Sequence, residues 1–312
     1  MVGLTSAQRQ QYDEEGYVLF KGLLEPEELQ PLIDDISAEV DQRAHEYHAK
    51  GLVRSIHAEH GFKTRLAKLW EECEAIHQHW YGGRHAGPGL FSLLTHTKLL
   101  DIAESLVGPE VHCEGRHRLR PKLPHWDEVT VPWHDDTPFG ARRITYFREP
   151  HSLDARDPNY SATALSRVLP MTQMPEPGFW LPLVEANEEN GCLQLLPGGH
   201  RHTPPTGSEW APEKVVTELD GLQRVSMPMQ VGDALLFHQH LPHHSPYNGS
   251  DHIRWSVDIR YQDGRQRVKS PREPGLPARS KERPKDVVTT FEGYEQIRDA
   301  VRDFMERTGI RL

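Results

Sequence analysis

From residue 26 to residue 43 the apolar positions fall at Leu29, Leu32, Ile33, Ile36 and Val40, the three-and-four spacing of a single helical face. Pro26 suits the first turn, because a missing N–H costs nothing there. The pattern predicts an amphipathic helix over this stretch. A second is expected over roughly Lys63 to His79, and a third from Thr97 to Leu106, ended by Gly108-Pro109. From about residue 111 the texture changes to short apolar or alternating runs broken by Pro, Gly, Asn and Asp, which reads as an antiparallel sandwich or barrel. Phe179 to Val184, Cys192 to Leu196, Ala234 to Phe237 and Trp255 to Tyr261 are such runs. The segment 147–178 is long and weakly periodic, as expected of a lid or mobile loop at the barrel mouth. Residues 265–285, rich in Pro, Arg and Lys, are expected to wrap the surface. A last helix would carry Ile297, Val301 and Phe304 on one face. The chain is thus expected to form one domain over 1–312, with a helical part (1–110), a β core (111–262) and a C-terminal wrap and helix (263–312).

Charge and composition narrow the function classes. With 46 acidic against 36 basic residues and a net charge of -10, the surface should repel nucleic acid and anionic membranes. No apolar run approaches the ~20 residues of a membrane span, and the N-terminus lacks the layout of a secretory signal. A cytoplasmic location is expected. The three cysteines, Cys73, Cys113 and Cys192, point neither to a disulfide framework nor to a thiolate zinc site. Histidine stands out, at 20 residues.

Two stretches carry candidate chemistry. In VPWHDDTPF, residues 131–139, a strand would put His134 and Asp136 on one face, where an imidazole and a carboxylate can meet one ion. A third donor could come from HQHLPHHSPYN, residues 238–248. Two histidines and one carboxylate that leave coordination positions open form the donor set of non-haem iron(II) oxygenases. A lone H-x-D is common in so histidine-rich a chain, however. In RWSVDIRY, Arg254, Ser256, Asp258 and Arg260 alternate with Trp255, Val257, Ile259 and Tyr261, which ordinarily marks a half-buried strand with its polar side in water. Chemistry would require that polar side to turn into the barrel.

The order of segments carries a more specific signal. His134-Asp135-Asp136 is followed by Asn190-Gly191 with Pro197-Gly198-Gly199-His200, then by Gly232-Asp233, then by His243-His244-Ser245 with Asn248, then by Arg254. Over roughly residues 10–262 this resembles the phytanoyl-CoA dioxygenase family of iron(II)- and 2-oxoglutarate-dependent oxygenases. The resemblance implies a mainly β fold with flanking helices, built on a double-stranded β-helix, or jelly roll. It implies iron(II) held by His134, Asp136 and His243, since His243 rather than the adjacent His244 has the family's spacing to Ser245 and Arg254. His238 and His240 would then be neighbours of the site or plain strand residues. Arg254, helped by Ser256, would hold the distal carboxylate of 2-oxoglutarate, and Lys122 in RPKLP would line the same pocket, with Arg118 and Arg120 as further candidates. Trp133 and Phe139 would wall it. The implied reaction consumes O2 and 2-oxoglutarate, releases succinate and CO2, and hydroxylates a C–H bond of a small molecule. Because Asp136 fills the carboxylate position, halogenation is disfavoured. The rival is a non-catalytic cupin-like metal- or small-molecule-binding protein, against which Arg254 argues. Gly199 departs from the family, which usually has Ser there, and is expected to affect packing rather than chemistry.

Overall fold

The computed structural model describes residues 3–82, 85, 87–115, 117–136, 175–201, 221–265 and 275–308. Most of the 147–178 segment, Phe139 and residues 266–274 lie outside the described residues. The second half of the 265–285 stretch, expected to wrap the surface, instead adds a strand over Leu276–Arg279 to the larger of the two sheets and buries Leu276 and Ala278.

The helices come first in the chain. α1 (Ser6–Glu15) opens on a capping box between Thr5 and Gln8 and closes on Gly16, at a left-handed φ of 84°. Its single buried residue, Tyr12, gave the sequence no periodic signal. α2 (Pro26–Ala49) runs past the expected end at residue 43, burying Ala44 as a further turn of the same face. The helix expected over 63–79 is two pieces. α3 (Arg65–Glu72) stops at Cys73, whose backbone is extended, and a 3-10 segment (Glu74–Gly82) follows. α4 (Pro88–Leu94) is so apolar that no face stands out, and α5 (Thr97–Val107) lies where periodicity placed it. α6 (Phe291–Thr308) is the C-terminal helix, burying Ile297 and Val301.

Eleven strands are described: β1 (Tyr17–Phe20), β2 (Val111–Cys113), β3 (Arg118–Lys122), β4 (Val131–His134), β5 (Gly178–Pro182), β6 (Leu193–Leu195), β7 (Val225–Met227), β8 (Ala234–Phe237), β9 (His243–Ser245), β10 (Arg254–Asp263) and β11 (Leu276–Arg279). The larger sheet runs β1-β8-β5-β10-β2-β11, with β3 also paired to β10, and the smaller runs β4-β9-β6-β7. Every pairing is antiparallel. Two antiparallel sheets with crossing connections make the jelly roll.

Two hydrophobic clusters hold the sheets. One joins the helices to the outer face of the larger sheet, with Leu29, Leu32 and Ile36 of α2 and Leu99 and Ile102 of α5 in the same cluster as Trp255, Val257, Ile259 and Tyr261 of β10. The other, inside the roll, joins Trp180, Leu235 and Phe237 of the larger sheet to Leu193 and Leu195 of the smaller. The other side of β10 turns inward. Arg254, Asp258 and Arg260 line the cavity between the sheets, and all ten residues of the strand are buried.

Candidate metal centre

The cavity encloses about 630 Å³ including its open mouth, and both sheets line it. His134, Asp136 and His243 meet there, each offering one ligand atom, with the three atoms within 4.8 Å of one another. The backbone brings them together in stages. β4 and β9 pair so that His134 stands opposite His243, and the two rings approach to 4.1 Å between centroids. Asp136 lies just beyond the end of β4, where its N–H donates to the Gln239 carbonyl at 2.8 Å.

The ring hydrogen bonds distinguish the paired histidines. His243 Nδ1 is 2.9 Å from the Leu241 carbonyl. A carbonyl only accepts, so Nδ1 carries the proton and the Nε2 lone pair is left for an ion. His244 takes the other side of the strand. Its Nδ1 donates to the Val131 carbonyl at 2.7 Å, and its ring stacks on Trp133 at 5.3 Å. His238 and His240 form a neighbouring cluster with His200, and they do not line the cavity. Burial, with His240 and His200 nearby, pushes the His238 imidazole down to about 4.

Asp136 is supported by a residue that sequence reasoning quoted only as part of a strand face. Arg260, which is buried, places Nη2 2.6 Å from Asp136 Oδ2, whose side chain is 12% exposed. Burial alone would raise the Asp136 carboxyl, but the Arg260 guanidinium beside it holds it well below the usual carboxylate range. The donor set is therefore two imidazoles and one ionised carboxylate, which fits a divalent transition ion with positions left open. The signal that could have singled out Arg260 is its position six residues beyond Arg254 on the same inward face.

Arg254 stands at the other end of that face. Its Nη1 donates to Ser256 Oγ at 3.0 Å and its Nη2 to Ser245 Oγ at 3.1 Å, and its guanidinium lies over the Trp180 ring at 5.1 Å from the centroid. Lys122 pairs with Arg254 across β3 and β10. Its ammonium donates to the carbonyls of Val129 and Ser245 at 2.6 and 3.2 Å. Burial first, then the charges of Arg254 and Arg120, push it down to about 7. Arg120 lines the cavity and is paired with Asp258 at 2.9 Å. Arg118 does not line it, and neither does Trp133, which packs instead against His244 and Arg224.

The motif residues between these donors fix turns. Gly191, at φ 77°, comes so close to the next segment that a Cβ there would stand 2.5 Å from the Pro246 carbonyl oxygen. Asn248 is fully buried and ties the turn before β10 to β3, donating to the carbonyls of Lys122 and His252 at 2.9 and 2.8 Å. Gly199 packs against Pro242, with no room for a Cβ: one would lie 2.8 Å from Pro242 Cδ.

A jelly roll carrying an H-x-D, a distal histidine and an arginine on the facing strand defines the class of non-haem iron(II)- and 2-oxoglutarate-dependent oxygenases, which use iron(II), 2-oxoglutarate and O2. Within that class the chain belongs to the phytanoyl-CoA dioxygenase family, whose model matches residues 12–256. The Danio rerio protein named phytanoyl-CoA dioxygenase domain-containing protein 1 is 25% identical over 284 residues, 86% of this chain and 93% of its own. The Mus musculus protein of that name is 28% identical over 148 residues, 43% of this chain and 48% of its own, so that match spans about half of the relative. Among solved structures, a nickel complex of the non-haem monooxygenase ThoJ superposes with a TM-score of 0.51 at 17% identity, covering 96% of this chain and 98% of that one. AviO1 from Streptomyces viridochromogenes gives 0.50 at 17% identity, covering 83% and 94%. At such identities these two structures bear on the fold.

Proposed function

We propose that His134, Asp136 and His243 hold the catalytic iron(II), that Arg254 binds the distal carboxylate of 2-oxoglutarate, and that the protein hydroxylates a C–H bond of a small molecule. The observation that carries this reading is the convergence of three ligand atoms within 4.8 Å in a cavity that Arg254 also lines. Bound iron supplies oxygen activation coupled to decarboxylation of 2-oxoglutarate to succinate and CO2. The chain supplies placement. Arg254 presents a planar, permanently charged donor, the shape that a carboxylate takes best. Ser256 and Ser245 orient the guanidinium from two sides, and Trp180 covers its face, keeping water away. Lys122 adds a second cation at the same end of the cavity, and Arg260 keeps the Asp136 carboxylate ionised and aimed. In the same proposal the protein works in the cytoplasm without nucleic-acid or membrane partners, its net charge of -10 disfavouring both. No helix among the described residues is long and apolar enough to cross a membrane.

The test is succinate formation from 2-oxoglutarate in native and Arg254→Lys protein. A point-like ammonium loses at least one charge-assisted hydrogen bond, ~1.5–3 kcal/mol, so the KM for 2-oxoglutarate should rise by about one to two decades while iron content stays normal. An unchanged KM removes Arg254 from the co-substrate site. Stoichiometric iron with no succinate under any condition would favour the cupin-like binding protein.

A further inference from the structure

The loop between α2 and α3 gathers a second set of donors, none of which lines the cavity. His57, Glu59 and His60 each offer one ligand atom, and the three atoms lie within 4.8 Å of one another. Glu59 Oε1 stands 3.7 Å from His57 Nδ1 and 3.5 Å from His60 Nε2. Both distances are too long for hydrogen bonds. They are close to the ~3.4 Å edge of a tetrahedron whose corners sit ~2.1 Å from a zinc-type ion. The turn is closed by the His60 N–H on the His57 carbonyl at 3.1 Å, with His57 in the left-handed region at φ 49°.

The far side of His57 separates this trio from a chance cluster on the surface. Its Nε2 lies 2.7 Å from Glu72 Oε1. A carboxylate accepts hydrogen bonds and does not donate them. The nitrogen facing Glu72 is therefore the donor of that contact, and Nδ1 is the nitrogen on the Glu59 side. Glu72 is itself fixed by the Arg54 N–H at 2.6 Å and the Arg54 guanidinium at 3.3 Å. An outer carboxylate that sets the tautomer of a histidine and strengthens it as a ligand is the usual support of a metal-binding imidazole.

We propose that His57, Glu59 and His60 form a second divalent-cation site, suited to borderline ions of the zinc(II) class, with Glu72 as its outer carboxylate and water completing the coordination. Two imidazoles exclude the hard ions magnesium and calcium, which take oxygen donors. The ion has a structural task. The same loop runs on to Phe62, which stacks on Trp255 at 5.2 Å and accepts its indole N–H at 3.1 Å, and to Lys63, whose carbonyl accepts from Ile253 N–H at 2.8 Å. Ile253 and Trp255 flank Arg254, so an ion at the turn pins the loop that buttresses the start of β10.

Equilibrium dialysis of the full chain, cleared of metal and then held against zinc(II), tests this by counting bound ions. The expected counts are two for the native protein, one for Asp136→Ala, and none for Asp136→Ala combined with His60→Ala or Glu59→Gln. Glu72→Gln should weaken the turn site roughly 10- to 100-fold. The Asp136→Ala background isolates the turn from the cavity, so failure of the iron reading leaves this count readable. His134→Ala serves as a second background should Asp136→Ala fold poorly. A zinc count that His60→Ala and Glu59→Gln leave unchanged in either background overturns the proposal, as does a count of zero in both backgrounds before the turn is altered.

Discussion

β10 is ten residues long, all of them buried, with β5 on one edge and β3 and β2 on the other. The strands that carry His134 and His243 are four and three residues long, and their pairing slips register between Val131 and His134. The larger sheet therefore aims Arg254 by regular repetition: Trp255, Val257, Ile259 and Tyr261 lock into the helix-backed core at zero exposure, and Arg254, Asp258 and Arg260 on the alternate side line the cavity. The smaller sheet aims its donors by exceptions. A register irregularity re-aims a side chain, Asp136 sits past its strand end on the Gln239 carbonyl, and His243 is turned by the Leu241 carbonyl. A long ladder tolerates the loss of one contact, whereas a set of local devices fails one device at a time. Substitutions on the smaller sheet should therefore weaken iron binding specifically, and those on the larger sheet should change co-substrate binding.

The largest effect is expected at Asp136. Asp136→Ala removes one proposed donor and takes away the carboxylate that faces the buried Arg260. Breaking a buried pair from one side costs ~3–5 kcal/mol, so turnover should vanish, iron loading should collapse and the thermal midpoint should drop. Normal iron content with an unchanged midpoint would show that neither role belongs to Asp136.

The same contrast explains what could be read from the sequence. The alternation of RWSVDIRY identified β10, and the core shows why its polar residues point inward, but alternation alone cannot say which face meets water. Arg260 was visible only as one of four polar residues in that run. Its partner is 124 positions away, at Asp136, and no local pattern reports that pairing. α1 and β1 escaped periodicity for a related reason. α1 rests on a capping box, and β1 is a strand through its pairing with β8, more than two hundred residues later. α3 and the 3-10 segment after it read as one helix because the break at Cys73 carries no Gly or Pro. The choice of His243 over His244 rested on spacing, and the structure puts His243 in the cavity because the two rings of adjacent strand residues must face opposite ways.

Lys122 links the two sheets, reaching from β3 to the Ser245 carbonyl at the end of β9, and it gives the comparison a pH axis. Its pKa falls from the ordinary 10.5 to about 7. Between those values the unfolded chain holds a proton that the folded chain has released, so this group makes stability rise with pH across that window. Affinity for a dianionic co-substrate should move the other way, because the cation is lost as pH rises through about 7. The KM for 2-oxoglutarate is expected to climb several-fold between pH 6 and 8 in native protein and to flatten in Lys122→Met. An identical pH profile in both would assign the effect to another group.

The effect least visible in turnover is expected at Gly199, where the chain departs from the usual serine. A Cβ there would stand 2.8 Å from Pro242 Cδ, 3.0 Å from Pro242 Cγ and 3.5 Å from Leu196 Cβ. A pyrrolidine ring cannot swing aside as a flexible side chain can, and Pro242 is further held by the Leu196 N–H on its carbonyl at 3.1 Å. Gly199→Ser must therefore displace the backbone at Pro242, the residue before His243. Overpacking of this kind costs ~1–3 kcal/mol, less than breaking the Asp136–Arg260 pair. The distinguishing feature is where the strain goes. Iron affinity should fall while the KM for 2-oxoglutarate stays as in native protein, because Arg254 is held by the other sheet. Thermal denaturation and anaerobic iron titration of the variant measure both parts. If the KM shifts as much as the iron affinity, the two sheets do not position their residues independently, and the contrast between them fails.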